Sequence, residues 1–338
     1  MKITHLQSST QLIHLDDLKV LTDPWLTDGE YYGSWYHYPP FGEGNIDNLE
    51  YDFIYVSHIH PDHLSEQTFK SLPHKKPVLI HNYDSKFVKR KLEMLGFEVI
   101  ECDNAKPFVF ENGSSITIFA ADNCNPELCG KFLGCGVVEK KFGSTGIDTL
   151  ALFKMGNQSI LNTNDCPYDL ASKTIKANNL HTLKIDLLLV GYAGAGPYPQ
   201  CFEFDTLDEK LIAAKGKEDQ FLLQAIKYID LLKPVAFTPF AGTYTLGSRM
   251  AELTDYRGVP SVSYATQFLN DKFNGRTNGL LLEQFDLYDL DSETLQKSEK
   301  KFPLSREEYE SVISKNCLLY TSDAADDLLC VDLGGRRI

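Results

Sequence analysis

A short apolar segment that runs directly into a cluster of histidines constrains this sequence most. Residues 53–63 read Phe-Ile-Tyr-Val-Ser-His-Ile-His-Pro-Asp-His, so a predicted buried strand leads into the cluster. In extended backbone His58 and His60 point to the same side, and both imidazoles can face one ion. The proline then turns the chain, and Asp62 and His63 follow where they could meet a second ion. Such nitrogen and oxygen ligands suit Zn, Fe or Mn.

The competing interpretation of this cluster is a surface loop with solvated histidines. Three of the nine histidines of the chain lie within this segment, which favours the metal site. Next to a bound ion, the Asp62 carboxylate would also be placed to orient a water molecule or accept its proton. Asp62 is therefore the predicted catalytic residue.

The motif resembles the hallmark of the metallo-β-lactamase superfamily. Asp23, within Leu-Thr-Asp-Pro, resembles the early aspartate that supports the metal loop without binding the ion. Asp165, after Ile-Leu-Asn-Thr-Asn, resembles the aspartate that bridges two metals, and a carboxylate held rigidly after a buried strand can share its oxygens between cations. A helix-capping or turn role is the alternative for Asp165. The resemblance implies an α/β fold, a four-layer αββα sandwich with the metal at one edge.

Within the superfamily, the sequence is most similar to the lactamase-like domain of CMP-N-acetylneuraminate hydroxylases, and more distantly to ascorbate-6-phosphate lactonases. The similar segments are residues 23–26, 35–40, 160–166, 191–199 and 233–242. Those hydroxylases also carry a Rieske iron–sulfur domain. This sequence contains no Cys-x-His pair for such a cluster, so an oxygenase reaction would need a separate electron donor.

Two histidine ligands typical of the superfamily have no counterpart here. No histidine lies between His81 and His181, and none follows His181. Asp122 is the predicted substitute for the first, with a plain turn as the alternative. His37 could supply a further nitrogen, although packing among the aromatic residues around it is the favoured interpretation. We therefore expect Zn or Fe as one well-bound ion or an unequal pair.

Three function classes follow from this site. A metal-bound hydroxide would hydrolyse an ester, lactone, amide or phosphodiester, and this hydrolase hypothesis ranks first. An iron-dependent hydroxylase or oxygenase is the second hypothesis, and a binding or inactive descendant is the third. The Gly-, Ala- and Tyr-rich loops 191–199 and 240–246 would form the substrate pocket, with Tyr192 and Tyr244 as predicted contacts to a small anionic or sugar-like molecule.

The charge of the chain limits the partners that it can bind, and its sequence patterns bear on location and domain count. The 338 residues carry a net charge of −14, which argues against binding to nucleic acid or anionic membranes. The sequence shows no membrane-spanning run and no secretory signal, so a cytoplasmic location is expected. Short strands alternate with helices, notably a helix over 207–232, which supports an α/β fold, and the resemblance implies one domain over residues 1–315. Residues 316–338 resemble a translated sequencing adapter and are set aside as a non-native or disordered tail.

Overall fold

Strands of the described residues assemble into two large sheets and a two-stranded ribbon. The computed structural model describes residues 1–83, 86–121, 148–194, 196–300 and 302–316. The strands are β1 Lys2–Gln7, β2 Thr10–Leu15, β3 Leu18–Thr22, β4 Trp35–His37, β5 Phe53–Tyr55, β6 Val78–His81, β7 Val99–Cys102, β8 Pro107–Val109, β9 Ser115–Ala120, β10 Thr149–Met155, β11 Gln158–Asn162, β12 Leu187–Gly191, β13 Ala236–Phe240, β14 Tyr244–Leu246, β15 Asn278–Gly279, β16 Leu287–Asp289 and β17 Thr294–Gln296.

Helices and short helical turns connect the strands. They are α1 Glu43–Asp47, α2 Glu66–Ser71, α3 Phe87–Met94, α4 Tyr168–Ala177, α5 Leu207–Leu232, α6 Val262–Phe273 and α7 Arg306–Asn316, with a helical turn at Glu30–Gly33 and 3₁₀ segments at Leu180–Thr182 and Ser248–Tyr256. The first sheet has the strand order β17-β16-β1-β2-β3-β5-β6-β7. The second has the order β15-β13-β12-β11-β10-β9-β8, and β14 pairs with β4 in the ribbon.

The hydrophobic core shows that these elements form four layers. One buried cluster joins the inner faces of both sheets, including Ile13 and Tyr55 from the first and Phe153 and Leu189 from the second. A second cluster packs the outer face of the first sheet against α2 and α3, and a third packs the outer face of the second sheet against α4, α5 and α6. The predicted α/β four-layer sandwich is confirmed.

Strand register brings three chain segments to one edge of the sandwich. β3 and β5 are parallel, with Thr22 opposite Tyr55, so the residues that follow both strands emerge side by side. In the second sheet, β10 and β11 form an antiparallel hairpin with Ala151 opposite Asn162. The start of β10 and the end of β11 therefore lie at the same end of their sheet.

The predicted helix over 207–232 is confirmed, and local chemistry explains both of its ends. The Thr206 side chain accepts a hydrogen bond from the backbone N–H of Glu209, and the Glu209 carboxylate accepts one from the backbone N–H of Thr206, which is a capping box. Lys233 adopts a left-handed conformation and Pro234 cannot continue the helix.

Among the described residues, no helix combines the length and apolar character needed to cross a bilayer. One domain over 1–315 stays a prediction, and residues 317–338 of the predicted tail lie outside the described residues.

Candidate metal centre

The histidine loop is held in place by a buried aspartate that follows β3. Asp23 is fully buried, and its Oδ1 accepts a hydrogen bond from the backbone N–H of Ser57 at 2.7 Å. Its Oδ2 accepts one from the Ser57 hydroxyl at 2.8 Å and lies 2.8 Å from Nδ1 of His63. A carboxylate partner at Nδ1 holds a proton on that nitrogen, so Nε2 of His63 is the nitrogen that would give up its proton to bind a metal.

The first group of possible ligands consists of His58, His60 and Asp165, as predicted from the sequence. Nε2 of His58 lies 2.8 Å from Nδ1 of His60, so the two rings converge on one point. Single ligand atoms from these two histidines and from Asp165 all lie within 4.8 Å of one another. Asp148 lies beside this group, with its Oδ1 3.4 Å from Nε2 of His58, but it is not among the three residues whose ligand atoms all lie within 4.8 Å of one another.

The second group consists of Asp62, His63 and Asp165, and again single ligand atoms of all three lie within 4.8 Å of one another. Nε2 of His63 is 3.3 Å from Oδ2 of Asp165 and 3.9 Å from Oδ2 of Asp62. Asp165 belongs to both groups. It is therefore the residue whose carboxylate is placed to bridge two ions.

Burial and neighbouring carboxylates shift the protonation of the first group. Burial lowers the pKa of His58 well below its usual value, and the nearby rings of His63 and His60 lower it further. The ring is therefore neutral at pH 7 and has a free lone pair for a metal. Burial raises the pKa of Asp148 to about 7, with Asp165 and Asp62 adding to the rise while His60 and His63 oppose it.

Ion pairing dominates the second group. Burial lowers the pKa of His63, but the charges of Asp165 and Asp23 outweigh burial and hold this pKa well above its usual value. Burial raises the pKa of Asp165, yet attraction to His63 gives a net decrease. Burial dominates at Asp62, and the pKa of this carboxyl is raised. The group thus concentrates negative charge where a cation would neutralise it.

Tyr31 anchors the Asp62 carboxylate from the far side. Its hydroxyl donates a hydrogen bond to Oδ1 of Asp62 at 2.6 Å. Burial and the Asp62 charge raise the pKa of Tyr31, so the phenol keeps its proton and remains a donor. Tyr31 has a φ of +52°, in the left-handed region that bulky residues rarely adopt. This turn directs the hydroxyl towards Asp62.

The donor set fits one or two transition-metal ions. Two ligands of one tetrahedral ion, each about 2.1 Å from it, lie about 3.4 Å apart. The nitrogen–oxygen distances of 3.3 and 3.4 Å in the two groups are of this size. Nε2 of His63 is buried and makes no hydrogen bond of good geometry among the described residues, although Oδ2 of Asp165 lies 3.3 Å away. A metal ion bound to that nitrogen would take the place of its proton.

His37 lies outside both ligand groups. Its ring is fully buried, its Nδ1 lies 2.9 Å from Oδ1 of Asp28, and it packs on Trp25 with ring centroids 4.1 Å apart. The structure therefore gives His37 the packed position among aromatic residues that the sequence favoured. Asp122, the predicted substitute for a histidine, lies outside the described residues.

The two predicted substrate-binding tyrosines occupy different positions. Tyr192 follows β12 and lines a cavity of about 420 Å³. Tyr244 begins β14 and stacks on Trp35 with ring centroids 3.7 Å apart. Its hydroxyl is buried without a hydrogen-bond partner among the described residues. Their contact with a substrate stays a prediction.

Sequence analysis missed Asp148 and Tyr31. A signal for Asp148 existed: the pairing of Ala151 with Asn162 places Asp148 and Asp165 three residues beyond that pair on the two sides of one hairpin. Recognising 149–162 as a hairpin would have placed both carboxylates at the same end. For Tyr31 no sequence signal existed, because its contact depends on an irregular turn.

A family comparison agrees with this geometry. Residues 2–200 match the model described as the beta-lactamase superfamily domain, which is more than half of the chain. The chain belongs to this superfamily.

Relatives of this superfamily member include proteins named as hydroxylases. It is 27% identical to the cytidine monophosphate-N-acetylneuraminic acid hydroxylase of Danio rerio over 72% of this chain and 38% of the hydroxylase. It is 26% identical to the Asterias rubens protein of the same name over 72% of this chain and 35% of that relative. The chain thus spans well under half the length of these two relatives.

Proteins of known structure with the same fold are named for different activities. An isothiocyanate hydrolase from Delia radicum gut bacteria matches with a TM-score of 0.56 and 12% identity, over 86% of this chain and 99% of that one. A mutant of the CmlA beta-hydroxylase matches with a TM-score of 0.51 and 17% identity, over 83% of this chain and 52% of that one. At these identities the matches show the fold of the superfamily member and nothing finer.

Proposed function

We propose that this superfamily member is a metal-dependent hydrolase that cleaves an ester, lactone or phosphodiester of a small molecule. His58, His60, Asp148 and Asp165 would hold one ion, and Asp62, His63 and Asp165 would hold a second. The ions are Zn or Fe, in keeping with the mixed nitrogen and oxygen donors. When bound, such an ion lowers the pKa of a coordinated water and polarises the oxygen of the bond to be cleaved.

The position of Asp62 is the observation that carries this proposal. One carboxylate oxygen is held by the Tyr31 hydroxyl at 2.6 Å, and the other lies 3.9 Å from Nε2 of His63. A carboxylate fixed in this way can accept the proton of an attacking water without first reorganising. Tyr31 remains protonated and keeps that carboxylate oriented. The buried surroundings limit access of bulk water to the pair.

A hydroxylase or oxygenase reaction is the second candidate, and the named relatives favour it. Both relatives reported above are hydroxylases, and Asp148 makes the donor set rich in carboxylates, a composition common to dinuclear iron enzymes of other folds. In that case a separate electron donor would be the partner of this chain. The hydrolase and oxygenase reactions would use the same metal-ligand residues and would have nothing else in common.

Metal content tests the ligand assignment. Purified wild type, His58→Ala and Asp165→Ala would be loaded with Zn or Fe, desalted and measured by elemental analysis. His74→Ala is the matched control, because His74 lies exposed on a loop away from the cluster. We expect wild type and the control to retain metal, and both cluster variants to lose most of it. Equal metal content in all four proteins would overturn the assignment.

Turnover then separates the candidate reactions. The Zn-loaded protein would be offered nitrophenyl esters, lactones and bis(4-nitrophenyl) phosphate, and the Fe-loaded protein would be tested for oxygen consumption with a reductant. Hydrolysis predicts turnover in the first assay, with Asp62→Asn lowering kcat about 100-fold while the ion held by His58, His60 and Asp165 is kept. Iron-dependent oxygen uptake without hydrolysis would instead establish the second candidate. Metal binding with neither activity would favour a binding role.

A further inference from the structure

A cavity of about 420 Å³ lies between the β4–β14 ribbon and the segments after β13 and β15. Its described lining includes none of the ligand residues of the metal centre. The volume lies within the range of small-molecule sites. What distinguishes the cavity is the charge of one lining residue, Arg257.

Arg257 is a buried cation with no carboxylate partner in the part of the chain that the structure describes. It is only 6% exposed, yet no described carboxylate lies within ion-pair distance of its guanidinium. Nε donates to the carbonyl of Thr254 at 2.8 Å, and Nη1 donates to the carbonyl of Tyr244. A guanidinium has five N–H donors, so three lack an acceptor among the described residues. Burying a charge in this state costs stability unless an anion compensates for it.

Two more lining residues have unused hydrogen-bonding atoms. The hydroxyl of Thr243 and Nε2 of Gln284 are both buried without a partner among the described residues. Both residues line the same cavity as Arg257. Buried polar atoms are rarely left unpaired, and those without a protein partner are usually hydrogen-bonded to a ligand or an ordered water. These donors thus add an observation independent of the Arg257 charge.

The acidic residues of the cavity are already paired. Asp286 accepts hydrogen bonds from Nζ of Lys297 at 2.8 Å and from the backbone N–H of Ser298 at 2.8 Å. Glu283 also pairs with Lys297, at 3.1 Å. Arg306 lines the cavity and is paired with Glu310 at 2.9 Å. Lys297 is shared by both carboxylates, but Lys300 adds a further cation to the lining, so the net charge around the cavity is positive.

Part of the cavity wall is apolar. Val259, Pro260, Val262 and Leu282 belong to it, together with the aromatic rings of Phe302 and Tyr38. An inorganic ion alone would leave this wall in contact with water. A molecule with an anionic group and an apolar body would satisfy both sides.

We propose that this cavity is a binding site for a small organic anion, whose carboxylate or phosphate group pairs with Arg257 and accepts hydrogen bonds from Thr243 and Gln284. The site requires no metal and stands whether or not the proposed hydrolase activity does. A carboxylate and a phosphate can each accept two parallel hydrogen bonds from a guanidinium. The titration below compares the affinities of the two groups.

Calorimetric titration of the chelator-treated protein tests the site with matched probes. Benzoate and phenyl phosphate have an aromatic body with either anionic group, and benzamide is the neutral counterpart of benzoate. We expect at least one anion to bind and benzamide to bind at least ~30-fold more weakly, because a buried charge pair is lost. Which anion binds more tightly identifies the group. Equal binding of benzoate and benzamide, or no binding of either anion, would overturn the proposal.

Variants locate the site. Arg257→Gln should weaken anion binding at least ~30-fold. Arg276→Gln, which removes an exposed arginine elsewhere, is the control and should bind as wild type. Because Arg257→Gln also removes contacts to Tyr244 and Thr254, Thr243→Val serves as a second variant.

Thr243→Val replaces a hydroxyl that has no described protein partner by a methyl group of similar size. It should leave the unfolding midpoint unchanged or slightly raised and weaken anion binding about 5- to 10-fold. If Arg257→Gln does not fold, the anion affinity of Thr243→Val is the test of the site. Wild-type anion affinity in folded Thr243→Val, or in folded Arg257→Gln, contradicts the proposed site.

Discussion

Replacing Asp23 by Asn tests how the histidine loop is organised. The carboxylate of Asp23 accepts from the Ser57 backbone, the Ser57 hydroxyl and Nδ1 of His63, all at 2.7 to 2.8 Å. An amide has the same shape but offers one acceptor and one donor group. If the amide oxygen keeps the Ser57 backbone bond, its NH₂ group faces the Ser57 hydroxyl and His63. The variant therefore changes hydrogen bonding without changing volume.

The expected consequence is a change of tautomer at His63. With an NH₂ group facing it, Nδ1 loses its proton and becomes the acceptor, so the neutral ring keeps its single proton on Nε2, which lies 3.3 Å from Asp165. A protonated Nε2 cannot bind a metal. Loss of such a supporting contact lowers metal affinity by about 10- to 100-fold. Loss of a fully buried, charge-assisted partner should also lower the free energy of unfolding by on the order of 3 kcal/mol.

Zinc affinity would be measured by competition with a chromophoric chelator, and the tautomer by ¹⁵N NMR of the histidine rings. Asp28→Asn provides the matched control, because Asp28 has the equivalent contact with Nδ1 of His37 at 2.9 Å. His37 belongs to neither ligand group, so this variant should change a histidine tautomer and leave zinc affinity unchanged. Wild-type zinc affinity in Asp23→Asn would refute the orientation argument. A loss in Asp28→Asn would instead make His37 a ligand.

Three further predictions concern the scaffold. Thr206→Ala removes the N-cap of α5 and should lower the free energy of unfolding by about 1 kcal/mol in urea titrations, without changing metal content. Leu189→Ala opens a cavity between the two sheets, where Leu189 is fully buried, and should cost about 3 kcal/mol by the same measurement; a loss below ~1 kcal/mol would contradict this packing. Burial, with a smaller effect of Arg257, lowers the pKa of Lys217 to about 8. Between pH 8 and 10.5 the unfolded chain keeps a proton on Lys217 that the folded chain has released. The free energy of unfolding therefore rises with pH over this range, and below about pH 8 the destabilising effect of Lys217 is complete. Urea titrations from pH 7 to 10 should show this rise in wild type and a smaller one in Lys217→Met, and identical slopes would refute it.

Prediction from the sequence succeeded where local rules act. The apolar strand before His58 and the three- and four-residue spacing of Leu222, Ala225, Ile226 and Ile229 are local patterns, and the structure has the corresponding elements. The ribbon of β4 and β14 was not predicted. Each strand has only three residues, and they pair across more than 200 positions of sequence. No local pattern carries that information.

The sequence by itself indicated an α/β fold, and the spacing of His58 and His60 predicted that both rings face one ion. The four layers followed only from the resemblance to the superfamily. Tertiary structure alone decided the rest of the site. Asp148 reaches His58 through a hairpin of the second sheet, Tyr31 reaches Asp62 through a left-handed turn, and Arg257 becomes a buried cation only when the ribbon closes over it. Such contacts join distant segments, so their geometry depends on packing and not on neighbouring residues.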